Sequence, residues 1–183
     1  MTAYFLRFTA PDPAAHAAEL RNAEIRFNQD VKSHDIRRVL DSAGDLASLL
    51  TTANEEGAAF ELARTYVVTA ATHPELEESA WLLLAAATAA QYVGQRDLAN
   101  TWFAEALQVV QARQWPHIEH YVLHHWGRSR AEEGLFDDAE AHFRAALMIR
   151  ARLSDPRQAS TQRALALLSE IRQRQTPESE RTT

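Results

Sequence analysis

The stretch YVGQRDLANTWFAEALQVVQARQWP, residues 92–116, recurs forty residues later as AEEGLFDDAEAHFRAALMIRARLSDP, residues 131–156. Upstream on the same period, Leu83 matches Leu123, and a weaker copy fits residues 40–79. A partial copy begins near Ser160. A period of this length is typical of stacked-repeat architectures. The positions that keep their residue type between the two quoted copies are Gly94/Gly134, Ala99/Ala139, Phe103/Phe143, Ala106/Ala146, Leu107/Leu147 and Pro116/Pro156.

Each copy of the repeat predicts two closely packed helices. Small residues at two repeat positions let the helices approach, and a phenylalanine at a third fills the space between them. A glycine ends the first helix, an aspartate opens the second, and a proline begins the next pair. The small residues are Ala87/Gly127 and Ala99/Ala139, and the phenylalanine is Phe103/Phe143. The glycine, aspartate and proline are Gly94/Gly134, Asp97/Asp137 and Pro116/Pro156.

The whole chain is predicted to be helical. Asp12 and Pro13 form an N-cap and a first-turn proline for an N-terminal helix. The short apolar stretch AYFLRF, residues 3–8, is expected to pack on the first helix pair or on another chain. The predicted helices span residues 13–32, 35–52, 55–72, 75–93, 97–113, 117–133, 137–153 and 157–174.

Residues 120–152 resemble a tetratricopeptide repeat (TPR), through Trp126–Gly127, Ala139 and Phe143 in the order of that family's pattern. The consensus tyrosine late in the first helix is replaced by Arg130, and the period is about six residues longer than the usual 34. Such long repeats are similar to those of kinesin light chains and of some bacterial peptide-sensing regulators.

The resemblance implies an all-α, right-handed solenoid of antiparallel helix pairs with an extra helix at each end. Its expected organisation is an N-terminal segment and helix over 1–34, repeats over 35–174 and a disordered tail over 175–183. The repeats themselves are expected at about 40–79, 80–119 and 120–159, followed by a capping helix over 160–174.

The resemblance also implies a binding surface. In this family the first helix of each repeat lines a concave groove that takes a protein or peptide. Only Arg128 matches the family's carboxylate-gripping chemistry, so we expect a peptide or helix of mixed apolar and acidic character. The groove residues that the resemblance implies are Trp81, Thr88, Gln91, Tyr92, Tyr121, His124, His125 and Arg128.

Composition and motifs argue against several other functions. The chain contains no cysteine, which excludes thiolate chemistry, and its net charge of -6 does not suit nucleic acid or an anionic membrane. The longest apolar run, residues 80–90, is too short to span a bilayer and is predicted to be core. No phosphate-binding loop or nucleophile elbow occurs, so no enzyme and no cofactor is predicted. A cytoplasmic protein is the expectation.

The histidines of PHIEHYVLHHWGR, residues 116–128, allow three interpretations. They are helix residues with no special role, or His124 contributes to the groove with Tyr121 and Arg128. In the third, His117, His120 and His124 share one helix face and bind zinc or nickel, although the pair seven residues apart would strain a single ion.

Three functions stay open from the sequence. The first is an adaptor or chaperone-like module that binds a protein or peptide in its groove. The second is a peptide-responsive regulator without a DNA-binding domain. The third is a structural role in which AYFLRF and the arginine-rich C-terminal helices form a homodimer.

Overall fold

The computed structural model describes residues 4–175, and within this range the chain forms helices and no strand. This confirms the all-α prediction and the number of helices expected there. The expected tail lies beyond the described residues except for Gln175, which ends the last helix. The helices are α1 (Pro13–Ser33), α2 (Ile36–Thr52), α3 (Glu56–Thr72), α4 (Glu77–Tyr92), α5 (Arg96–Ala112), α6 (Pro116–Glu132), α7 (Phe136–Arg152) and α8 (Gln158–Gln175).

Helix α1 begins as the sequence predicts. The Asp12 side chain accepts hydrogen bonds from the backbone N–H groups of Ala14 and Ala15, at 3.0 and 3.1 Å. Pro13 occupies the first helical position, where its missing N–H would have no helical partner. The cap therefore satisfies two of the donors that a helix start leaves open.

The turns between helices recur every twenty residues. Gly94 and Gly134 have φ of +82° and +79°, the left-handed conformation predicted for them. Asn54 takes the same conformation one full period before Gly94, and Gln114 and Ser154 take it at the half-period positions. In each of these turns the next residue donates to a carbonyl five residues back, as Gln95 does to Ala90 at 2.8 Å. The forty-residue period thus consists of two similar helix-and-turn units.

The turn at Pro74 departs from this pattern. The twenty-residue step would place a left-handed residue at position 74, but the proline ring fixes φ at a negative value. His73 ends α3 without a left-handed residue, and α4 starts at Glu77 rather than at the predicted residue 75. The proline therefore lengthens this turn and delays the next helix.

The chain divides into two compact units. The N-terminal unit comprises residues 7–118; of the described residues, the C-terminal unit comprises 4–6 and 119–175. In the N-terminal unit each of the helices α1 to α5 packs against the next, and α2 also packs against α4. A Cβ on Gly44 would lie 3.5 Å from the Cα of Leu82, so α2 and α4 approach closely there. Almost every residue of α4 is buried, which confirms that residues 80–90 are core.

In the C-terminal unit the small-residue prediction is confirmed at Gly127. A Cβ at this position would lie 2.8 Å from Cε1 of Phe143, closer than side chains pack. Phe143 is fully buried, together with Ala139 and Ala146 on the same face of α7. The absence of a side chain at Gly127 therefore makes room for the phenylalanine ring. Helix α7 also packs against α8 in this unit.

Helices long and apolar enough to cross a membrane are absent from residues 4–175.

Candidate functional site

Phe5 is a buried side chain of the C-terminal unit, only 4% exposed. Its ring stacks on Phe143, with centroids 5.9 Å apart and planes inclined by 26°. The other buried members of this cluster are the small or aliphatic residues Ala131, Ala139, Ala164 and Leu168. The sequence predicts that AYFLRF, residues 3–8, packs on the first helix pair or on another chain, and that prediction is wrong for Phe5. The pocket that accepts its ring is formed by alanines of α6, α7 and α8 together with Phe143 and Leu168.

Two buried charged side chains of α6 bind the backbone of Phe5. The backbone N–H of Phe5 donates to Oε1 of Glu132 at 3.1 Å, and Nε of Arg128 donates to the carbonyl oxygen of Phe5 at 3.3 Å. Glu132 and Arg128 are 2% and 1% exposed. Hydrogen bonds to ionised groups are stronger than those between neutral groups. The pair holds one residue by both of its backbone groups, and the donated N–H excludes proline at that position.

In the N-terminal unit, Tyr92 makes the corresponding contacts, forty residues before Glu132. Its hydroxyl accepts from the backbone N–H of Phe8 at 3.2 Å. The guanidinium of Arg7 lies 4.1 Å from the centroid of the Tyr92 ring and donates to the backbone carbonyl oxygen of Tyr92 at 3.3 Å. The same repeat position in two copies therefore accepts a backbone N–H from residues 4–11, which we call the N-terminal segment.

A buried arginine joins three helices of the C-terminal unit. Nε of Arg150, on α7, donates to Nδ1 of His120 on α6 at 3.1 Å. Its Nη1 donates to the carbonyl oxygen of Arg157 at 3.0 Å, and to the hydroxyls of Ser160 and Thr161 at the start of α8. Asp155 lies near this cluster, with its Oδ2 3.5 Å from Nε2 of His120. Arg150 therefore fixes the beginning of α8 against α6.

His124 continues this network as a neutral group. Its Nδ1 lies 3.2 Å from the hydroxyl of Thr161, and its ring packs against Phe143. Burial, followed by the charges of Arg150 and Arg128, lowers the pKa of His124 from 6.5 to about 3. Burial and Arg128 also place the pKa of His125 well below its usual range. These two imidazoles are uncharged at neutral pH, so the buried arginines carry the positive charge of this region.

Comparison with known proteins gives no relative. No protein-family model matches the chain, and neither a curated protein nor a solved structure matches it significantly.

The eight predicted groove residues lie in different environments. In the N-terminal unit Thr88 and Gln91 are buried on α4, Trp81 is partly exposed, and Tyr92 contacts the N-terminal segment. In the C-terminal unit His124 and Arg128 are buried, while Tyr121 and His125 are partly exposed. Tyr92 and Arg128 contact the N-terminal segment through the hydrogen bonds described above.

The histidines proposed as metal ligands make other contacts. His117, in the N-terminal unit, is exposed and lies 3.1 Å from a carboxylate oxygen of Glu77. In the C-terminal unit, Nδ1 of His120 accepts from Arg150 and Nδ1 of His124 lies against Thr161. Between Tyr4 and Gln175, no three histidine, aspartate or glutamate side chains are grouped as a metal site would require.

The arginines of the last third of the chain are mostly paired. Arg144 bonds to Glu140, and Arg172 bonds to Asp137 and Glu140, at 2.5 to 2.9 Å. Arg174 lies 3.7 Å from Glu170. These pairs intersperse acidic groups among the arginines, so the surface around α7 and α8 is mixed in charge rather than uniformly basic.

Sequence reasoning missed Phe5, Glu132 and Arg150 as functional candidates. The repeat itself carried a signal for Arg150, because the forty-residue offset aligns it with Val110 on the core face of α5. Nothing in the sequence indicated a ligand for Glu132. The burial of Phe5 depends on chain-distant contacts, for which the local pattern holds no signal.

Proposed function

We propose that this chain is a TPR-like module that binds an extended peptide segment of another protein. The finer fold proposed with it is a right-handed solenoid of antiparallel helix pairs. The forty-residue repeat, the regular turns and the ring of Phe143 over Gly127 support that arrangement.

One observation carries the proposal. Helix α6 already holds a stretch of chain without helix or strand by its backbone, because Glu132 and Arg128 bond to the two backbone groups of Phe5. Backbone hydrogen bonds supply affinity for an extended peptide, and a side-chain pocket supplies selectivity. Both elements are present here: the two buried charged groups contact the backbone, and the pocket of small residues takes an aromatic ring.

The partner proposed is a protein or peptide with apolar character, and adaptor function is the role that follows. Arg128 and Arg150 are buried and positively charged, whereas burial keeps His124 neutral. The positive charge of the two arginines also favours acidic groups near the bound segment.

Site-directed photo-crosslinking tests the proposal. The full chain carries p-benzoylphenylalanine in place of Tyr121, which is partly exposed on α6. The matched control carries it in place of Met148, which is exposed on α7 of the same unit. Each protein is irradiated with a library of random ten-residue peptides, and the crosslinked peptides are sequenced by mass spectrometry.

We expect peptides to crosslink at position 121 in preference to position 148, and to share a sequence pattern. Equal labelling at the two positions would contradict a peptide-binding function of the α6 face.

A further inference from the structure

We propose that the N-terminal segment is an internal ligand, which occupies a site for an aromatic residue of a partner peptide until that peptide displaces it. The inference rests on the proposed function. It adds the chemical class of the partner, a peptide with an aromatic residue whose backbone N–H and carbonyl group are both bound. It also adds a form of regulation, since the chain's own residues compete for the site.

The contacts of Phe5 are those of a bound ligand. Its side chain is buried and both of its backbone groups are bonded, whereas its neighbour Tyr4 is 75% exposed. The Phe5 side chain is therefore enclosed, while the side chain before it is mostly exposed to solvent. Phe143 supplies a ring for stacking, and the surrounding alanines leave space for a planar side chain. Stacked aromatic pairs gain attraction beyond that of the buried area, which selects phenylalanine or tyrosine over aliphatic residues.

The segment is built to be displaced. It has no helix or strand between Tyr4 and Ala10, so it can leave without breaking secondary structure. Leu6, next to Phe5, has φ of +48°, in the left-handed region that a residue with a branched side chain adopts at a cost. Phe8, three residues after Phe5, is more than half exposed. The strain at Leu6 weakens the hold of the chain's own segment relative to an optimised peptide.

A tethered ligand competes at high effective concentration. A short flexible connection gives an effective concentration in the millimolar range, so a free peptide in the micromolar range is largely excluded from the unmodified chain. Weakening the internal ligand by one substitution should therefore raise the apparent affinity for the same sequence added from outside.

The probe is a fluorescently labelled peptide with the sequence of residues 1–10, MTAYFLRFTA. Its binding is measured by fluorescence polarisation to the wild-type chain, to Phe5→Ala and to Phe8→Ala. Phe8→Ala is the matched control, because it removes an exposed ring from the same segment. Phe5→Leu serves where Phe5→Ala does not fold, since it keeps apolar contact but loses the stacking on Phe143.

We expect Phe5→Ala to bind the probe at least tenfold more tightly than the wild type or Phe8→Ala. Adding Glu132→Ala to Phe5→Ala, or placing alanine at the fifth position of the probe, should abolish that gain. Equal affinity for the three proteins would overturn the inference, as would undiminished binding of the alanine-substituted probe.

The two proposals fail in different ways. If folded Phe5→Ala does not bind the probe while library peptides still crosslink at position 121, the internal-ligand inference is wrong and the peptide-binding function stands. If no library peptide crosslinks in either the wild-type or the Phe5→Ala background, the proposed function is wrong.

Discussion

The two units of the molecule carry the same repeat but fill its buried positions with different chemistry. In the N-terminal unit these positions hold alanine, leucine, threonine and valine, whereas in the C-terminal unit they hold two histidines and two arginines. Both sets are buried. The repeat fixes which positions face inward, and the residue placed there decides whether the position only packs or also binds polar groups. The pairs at a forty-residue offset are Ala80/His120, Leu84/His124, Thr88/Arg128 and Val110/Arg150.

The two units therefore use the equivalent buried positions differently. Val110 is fully buried and carries no polar side-chain group. Arg150 instead bonds to His120 and to the first residues of α8, and Arg128 bonds to the backbone of Phe5. Buried charged groups cost desolvation that packing alone does not require. The proposed binding function rests on these polar positions of the C-terminal unit.

Of the substitutions that test this difference between the two units, the one at Arg150 should have the largest effect on stability. Arg150→Val restores the residue of the equivalent position, but it leaves His120, the Arg157 carbonyl and Thr161 without their shared donor. Loss of one member of a buried polar network costs about 3 kcal/mol of unfolding free energy. Urea unfolding measures this loss. Arg144→Ala, at an exposed ion pair, should cost under about 0.5 kcal/mol. A loss below about 1 kcal/mol for Arg150→Val would contradict the role of the network.

A second expected effect concerns pH and His124. The pKa of His124 in the folded chain, about 3, lies below the ordinary 6.5, so the unfolded chain binds the proton more readily. The contribution of this histidine to stability is therefore present at neutral pH and is lost as the pH falls from about 6.5 towards 3. Between pH 7 and pH 5 the loss is about 2 kcal/mol.

His124→Leu, the residue of the equivalent Leu84 position, removes that dependence. The difference in unfolding free energy between the wild type and His124→Leu should shift by about 2 kcal/mol in favour of the variant on going from pH 7 to pH 5. Parallel stability curves for the two proteins over this range would show that His124 is not held neutral by the fold.

The smallest effect is expected at Gly127. Gly127→Ala places a Cβ against the buried ring of Phe143 and should destabilise the chain by about 1.5 kcal/mol. Gly57→Ala is the matched control, since a Cβ there meets nothing within 4 Å, and it should stabilise the helix by about 0.5–1 kcal/mol. Thermal unfolding of the two variants compares them directly. Equal shifts in the same direction would rule out the close approach at Gly127.

Much of the fold follows from local pattern and its repetition. Asp12, Gly94, Gly134 and Gly127 could be assigned from the sequence because a cap, a left-handed turn and a close contact each need a particular residue type. The late start of α4 follows from Pro74, although only the spacing of the other turns makes that visible.

The site was less predictable, for two physical reasons. The resemblance implies groove positions for Arg128 and His124, but both side chains are buried, and burial determines what they contact. The partners of Glu132 and Arg128 come from a residue more than 120 positions away in the chain, and no periodic pattern relates Phe5 to them. A repeat predicts the positions that face inward, whereas it does not predict a non-repeating segment that lies against them.

The most direct test of the central claim is hydrogen exchange at the backbone amide of Phe5, followed by NMR on the full chain. If Glu132 holds this amide as a buried acceptor, it should exchange at least a hundredfold more slowly than an unstructured amide, and Glu132→Ala should remove the protection without changing the amides of α3. Exchange of the Phe5 amide at the unstructured rate in the wild-type chain would contradict the claim that buried groups of α6 hold Phe5 as a ligand.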